Sequence, residues 1–370
     1  MADLYQAEQV QLVLFEAFFA DGEKDQSRTL DIYDALPKFS LSWVREGEQQ
    51  SSLREFNNVR IQDKLIKVSV SAAILSSGSE PGNKDTQAKK PKTVFPGVRE
   101  ELVERALRKM AVQRQIDARL EADDANGRMI PITFTLSQLR KELTSAGHDF
   151  KISELREALD VLGRASLTVE GIVDDDINGL AHPILLISYK RRRGDNTGDY
   201  SYYTAKFHPL AVRAILAGAW QPINYDRVMR LELPLARWIA TRMNNRYRSA
   251  EKAASMKGKG YYLTLSRVLA ESGIMPEKRL RATVERVRAA LTELQNEGFL
   301  DRLNKPYDEE ITYERAKGRP RISEVKWTLY PSTAFAEEII CGNVQVRHQL
   351  RKASVINEGV GSAKGGFLRR

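Results

Sequence analysis

Along residues 276–297, basic and small side chains recur at a spacing suited to recognition rather than to covalent chemistry. If the segment is a helix, Lys278, Arg279 and Arg286 share one face with Ala282 and Ala289, and Arg281 and Arg288 flank it. Arginine presents a planar fork of donors that meets two acceptors at once, and lysine a compact charge suited to phosphate. Methyl side chains between them let a helix axis approach a groove floor, within reach of guanine edges. Glu277 and Glu285 lie among them, placed to accept from cytosine or to orient an arginine. On an isolated surface helix the same residues would do no more than pair with one another.

Three other basic groups carry comparable chemistry. Lys317-Gly318-Arg319-Pro320-Arg321 resembles an AT-hook core, with lysine in place of the usual first arginine. Glycine and proline there favour a narrow extended ribbon whose cations enter an A·T minor groove, and a flexible basic loop is the competing reading. Lys190 begins a run with Arg191, Arg192 and Arg193, followed by Gly194 and Gly198, which reads as a basic hairpin tip or a solvated loop. Arg237, Arg242, Arg246 and Arg248, then Lys252, Lys257 and Lys259 around Gly258 and Gly260, are candidate phosphate contacts.

Signatures of covalent chemistry are missing from the sequence. It contains no GxxxxGK[ST] loop, so no ATPase or helicase activity is expected. His148, His182, His208 and His348 are far apart, with no paired-histidine motif of the kind a nicking enzyme needs. Tyr200, Tyr202 and Tyr203 alternate as a strand would, and Asp174-Asp175-Asp176 reads as a solvated turn rather than a metal site. Cys341 is the single cysteine, which excludes an intrachain disulfide and a cysteine-based zinc site. The expectation is a protein that is not an enzyme and uses no metal or cofactor. With no signal-peptide pattern and no apolar run near the roughly 18 residues of a membrane span, a cytoplasmic location without membrane contact is expected.

The elements that would position these groups follow from periodicity. The 370 residues suggest two or three domains. Residues 10–19 read as a helix, 61–75 as a strand, and 76–93 as a loop or linker. From residue 98 the order is helix (98–113), strand (130–136), two short helices (137–146 and 152–162) around Gly147, then strands at 166–171, 183–191 and 200–207. The order recurs as helix (234–244), strand (261–265), helix (266–272), Gly273, long helix (276–297), and a hairpin from 299–303 and 324–329. Helix, strand, helix, turn, helix, hairpin is the order of a winged helix. The predicted fold class is therefore α+β, two tandem winged-helix domains with a small N-terminal extension. The corresponding division is an N-terminal region and linker (1–94), a first domain (95–207), a second (208–335) and a C-terminal tail (336–370).

Charge separates the two domains. The net charge is +9, yet residues 190–326 hold 28 Lys/Arg against 16 Asp/Glu, while residues 1–189 hold 24 against 30. Polyphosphate would attract the former segment, although a solvated basic surface has the same composition. On residues 276–297, Leu280, Val284, Val287, Leu291 and Leu294 form the buried stripe opposite the arginines. On residues 152–162, by contrast, Ile152, Leu155, Leu159 and Leu162 are inward and Ser153, Glu154, Glu157 and Asp160 outward. An acidic face is repelled by phosphate, so the first domain is expected to touch DNA through its basic tip and to leave its helix or sheet free for protein contact.

Residues 95–330 resemble the winged-helix, iteron-binding plasmid replication initiators, the Rep family. The resemblance rests on VREELVERALRKMA, on FHPLAVRAILAG followed by INYDRVMRLELPLARWIATRM, and on YYLTLSRVLAESG before the basic helix. It implies that the second domain reads double-stranded origin repeats while the first supports dimerisation and contacts the backbone. It further implies monomers at origins in equilibrium with autorepressing dimers, opening of A·T-rich DNA, and recruitment of a host initiator and replicative helicase. Rival readings are a winged-helix transcriptional repressor without a replication role, and a nicking initiator or primase.

Overall fold

The computed structural model describes residues 26–41, 52–61, 64–75, 92–113, 131–172, 177–190, 202–216, 219–248, 250–252, 256, 260–274, 280–314 and 320–365. It is a mixed α/β structure with several small antiparallel sheets packed by helices. Its buried apolar residues form two cores, one running from Leu30 to Ile215 with Trp220, Tyr225, Met229 and Val346 added, the other from Ile223 to Ile339.

The first core is built on a helix, α2 (Val98–Gln113), whose Leu102, Val103, Ala106, Leu107 and Met110 are buried as their spacing requires. Strand β6 (Pro131–Phe134), helix α3 (Leu136–Ser145) and helix α4 (Ile152–Arg164) follow. Thr135 caps α3 with a reciprocal bond to Gln138, and Gly147, at φ +89°, makes the turn into α4. A hairpin, β9 (Leu185–Lys190) and β10 (Tyr202–Phe207), completes the unit, with β6 against β10 so that the sheet runs β6-β10-β9. The second core repeats this order in α7 (Pro234–Arg246), β12 (Tyr261–Thr264), α8 (Leu265–Glu271), α9 (Leu280–Asn296), β13 (Tyr307–Glu314) and β14 (Arg321–Leu329). Its sheet runs β12-β14-β13, so in both units the first strand lies against the last.

Several strands depart from the sequence expectation. The strand expected at 166–171, here β7 (Ser166–Glu170), joins neither β9 nor β10. It pairs with β3 (Lys64–Ser71) in a four-stranded sheet of order β2-β3-β7-β8, where β2 is Leu53–Ile61 and β8 is Ala181–Pro183. Val68 lies opposite Val169 and Val70 opposite Leu167, and all four are buried in the first core. The single strand expected at 61–75 is two strands, β3 and β4 (Ala73–Leu75), and β4 pairs with β5 (Lys92–Val94) at the end of the expected linker. Strand β1 (Gln26–Leu30), followed by the short α1 (Asp31–Asp34), pairs with β11 (Trp220–Asn224), between helices α5 (Pro209–Leu216) and α6 (Tyr225–Arg230). The N-terminal strands are thus woven into the first core. The helix expected at 10–19 lies outside the described residues.

The second hairpin also differs. Residues 299–303 are not its first strand: Phe299 and Leu300 are fully buried and Leu303 is exposed. The first strand is β13, within the stretch read as a loop, and it pairs with β14 from Tyr307–Leu329 to Glu314–Arg321. Helix α10 (Thr333–Gly365) spans most of the expected tail; Asn343 bonds Gln221 at 2.6 Å and so ties the helix to β11. Among the described residues, no helix is long and apolar enough to cross a membrane.

Candidate nucleic-acid interface

Helix α9 has the two faces its sequence calls for. Val284, Val287, Leu291 and Leu294 are buried, with Thr283 and Ala290 beside them and Leu280 partly covered. The opposite face exposes Arg281, Ala282, Glu285, Arg286 and Ala289. Lys278 and Arg279 lie outside the described residues.

Arg288 faces the hairpin of β13 and β14. Its Nε lies 3.1 Å from Oε1 of Glu309 and its Nη2 2.7 Å from Oε2, while Glu285 accepts from Nη1 at 2.8 Å. The Glu309 bonds hold this guanidinium above its ordinary pKa. Glu309 also accepts from the indole Nε1 of the buried Trp327 at 2.8 Å. One carboxylate on β13 therefore locks α9 to β14 and orients helix and hairpin as a unit. Sequence reasoning missed Glu309, although Tyr307, Glu309, Ile311 and Tyr313 recur at every second residue, as on one face of a strand.

The remaining basic groups divide by position. Arg321, at the start of β14, and Arg246, in the last turn of α7, are exposed. Lys317, Arg319, Arg191, Arg192, Arg193, Lys257 and Lys259 lie outside the described residues. They belong to segments bounded by β13 and β14, by β9 and β10, and by α7 and β12. Two of the proposed phosphate contacts are corrected by the structure. Arg237 is 1% exposed, donates to Oε2 of Glu101 at 3.0 Å and to the Leu231 carbonyl at 2.6 Å, and so cannot reach a phosphate. Arg242 is largely covered and lies 2.6 Å from Oε2 of the buried Glu271.

On the first unit, α4 turns Ser153 and Asp160 to solvent, half-covers Glu154, and pairs Glu157 with Arg99 of α2 at 3.3 Å. Its outward face is acidic, as the sequence indicates. The outer surface of its sheet carries Ser188, Lys190 and Tyr202 in the open and Lys206 half-covered, while Tyr203 is buried on the other side, as a strand requires of these two tyrosines; Tyr200 lies outside the described residues.

His182 and His208, distant in sequence, meet with ring centroids 5.6 Å apart. Half-buried His182 and buried His208 adjoin the first core, where His208 stacks on Tyr33. Among the described residues, no group of three or more His, Cys, Asp or Glu is placed to hold a metal ion.

No family model and no curated protein matches the chain. Among solved structures, the chain is similar to a structure of selenomethionine derivatives of domains 2 and 3 of RctB, with a TM-score of 0.39 and 10% identity over 81% of this chain and 96% of that chain.

Proposed function

We propose that the chain binds double-stranded DNA through two winged-helix modules, the second reading sequence through α9, and that it acts as an iteron-binding initiator of plasmid replication. The observation that carries this reading is the α9 face. Arg286 projects between Ala282 and Ala289, with Arg281 on the flank, on the third helix of a helix–strand–helix–turn–helix–hairpin unit, where such folds enter a major groove. The β6-β10-β9 and β12-β14-β13 strand orders, both first-third-second, support two modules of one type. The replication role rests on the sequence resemblance of residues 95–330. In this role the protein marks tandem repeats, promotes opening of neighbouring A·T-rich DNA and recruits host machinery, with no catalysis of its own, and a dimeric form represses its own gene.

Footprinting of the full chain on DNA next to its gene tests the reading. Protection of direct repeats spaced by about 21 bp, two helical turns, is expected. A single protected palindrome would indicate a repressor instead. On the repeat, Arg286→Ala should weaken binding by roughly 1–3 kcal/mol, and by less on random DNA. Equal losses on both DNAs in gel-shift titrations would reduce Arg286 to a phosphate contact.

The first wing has a separate expectation. Replacing Arg191, Arg192 and Arg193 with alanine should weaken binding almost uniformly across sequences. It should also reduce the slope of log affinity against log salt by up to about 0.9 for each phosphate that is no longer neutralised. A slope equal to that of the unsubstituted protein would mean that these arginines meet only solvent.

A further inference from the structure

The turn at the end of α8, which precedes α9 in the chain, is gripped from outside its own module; residues 275–279, between it and α9, lie outside the described residues. Glu271, the last residue of α8, is 1% exposed and meets groups of three elements, two by hydrogen bonds and one by an ion pair. Its Oε1 accepts from the backbone amide of Arg60 on β2 and from Nε of Arg267 on α8, both at 3.2 Å. Its Oε2 lies 2.6 Å from Nη2 of Arg242 on α7. A buried carboxylate is tolerated only when a counter-charge faces it, and the bonds to its Oε1 weaken steeply with misalignment. The direction of α8 relative to β2 is thereby fixed.

The next residues extend the grip. Ser272 donates to the Val268 carbonyl at 2.6 Å and accepts from the Ile274 amide at 3.2 Å. Gly273 has φ +76°, and a Cβ there would sit 2.1 Å from the Phe39 carbonyl oxygen. The Leu41 amide donates to the Gly273 carbonyl at 3.4 Å. Both Phe39 and Val59 of β2 belong to the first core, whereas Val268, Ile274 and Val284 belong to the second. The corresponding turn of the first module differs: a Cβ on Gly147 would meet nothing within 4 Å. The clamped turn is the one before the helix with exposed arginines.

We propose that Glu271 and Gly273 are positioning residues, through which residues 37–41 and strand β2 set the direction of α9 and hence its fit to specific DNA. The inference rests on the DNA-reading role given to α9 above. A 17-residue helix is about 25 Å long, so a tilt of about 10° about its first residue moves its far end by about 4 Å. That displacement exceeds the tolerance of a bidentate base contact, about 0.5 Å.

The test compares Glu271→Leu, Gly273→Ala and Glu271→Gln in the full chain. Spin labels on Leu65→Cys of β3 and Ala289→Cys of α9, both exposed sites, in a Cys341→Ser background, report the distance between the N-terminal sheet and α9 without DNA. Unlabelled proteins are titrated with repeat and random DNA. Glu271→Leu and Gly273→Ala should shift or broaden the distance distribution. Repeat binding should fall about 10–100-fold, the scale of one mismatched base pair, with random-DNA binding changed far less. Glu271→Gln keeps an acceptor for the Arg60 amide and should stay close to the unsubstituted protein in both readouts. If Glu271→Leu does not fold, Gly273→Ala decides. An unchanged distance distribution in the folded variants overturns the proposal whatever the DNA shows. A changed distribution, in a protein whose unsubstituted form prefers no DNA sequence, upholds the clamp and removes the DNA-reading role instead.

Discussion

Arg237→Ala should cost about 3–5 kcal/mol of unfolding free energy at neutral pH, the scale seen when one partner of a buried ion pair is removed. Arg237 joins α7 of the second unit to Glu101 of α2 in the first, with both side chains at most 5% exposed. It also donates to the carbonyls of Leu231 and Glu232, so truncation strands a carboxylate and two backbone acceptors in the interior. Burial pushes the Glu101 carboxyl up, but Arg237 and Arg105 outweigh it and hold the group below the usual carboxylate range. A folded-state pKa below the unfolded value gives stability that is present at neutral pH and lost on acidification. The penalty of Arg237→Ala should therefore shrink on acidification, as the stranded Glu101 takes up a proton. Replacing both partners, as in Glu101→Leu with Arg237→Met, should recover most of the loss, because no charge remains unmatched. Urea unfolding of the three variants measures this. A loss under about 1 kcal/mol for Arg237→Ala, with DNA affinity reduced instead, would restore Arg237 to the phosphate contacts where composition alone had put it.

The difference between Arg237 and Arg246 shows what the sequence could reveal. Both are arginines on one helix, and α7 buries nine of its residues, from Leu235 to Asn244, so the polar ones among them carry no outward signal. Only the partner, Glu101 on a helix 136 positions away, distinguishes a structural cation from a surface one. By contrast, α9 was legible because its buried stripe follows the helical period and its opposite face is polar and small. Strand β2 was hidden by a bulge between Phe56 and Val59, which breaks the alternation that marks a strand. Strand β13 was hidden by Asp308, Glu309, Glu310 and Glu314, charges that a strand on the edge of a sheet tolerates and that resemble a loop in one dimension. The pairing of β7 with β3 was not readable at all, since alternation gives a strand its faces but not its neighbour. This pairing also bears on truncation: a fragment beginning near residue 95 would lose the strands that cover β7 and β11.

Acidification from pH 7 to pH 5 should cost the first core about 2 kcal/mol through His208 alone. Burial, aided by His182 and Lys38, lowers the pKa of this imidazole from 6.5 to about 3. Its Nδ1 accepts from the Leu210 amide at 3.1 Å at the start of α5, a bond that only the neutral ring can accept. Tyr33 stacks on one side and His182 meets it edge-on, so a cation there would find no counter-charge among its aromatic neighbours. The unfolded chain takes up a proton through pH 6.5, whereas the folded chain does not until about pH 3. Stability from this group is thus complete above pH 6.5 and falls by about 1.4 kcal/mol per pH unit below it. Half-buried His148, with its pKa also lowered by burial, adds to the same slope, while the carboxylates Asp34 and Glu101 act at lower pH. His208→Asn keeps an acceptor for the Leu210 amide at the N-cap position and removes the titrating ring. It should leave a vacancy that lowers stability at pH 7 yet flatten the decline between pH 7 and pH 5. Denaturation at pH 7, 6 and 5 compares the two slopes, and parallel profiles would mean that His208 is protonated in the folded protein or shares its proton with the surrounding core.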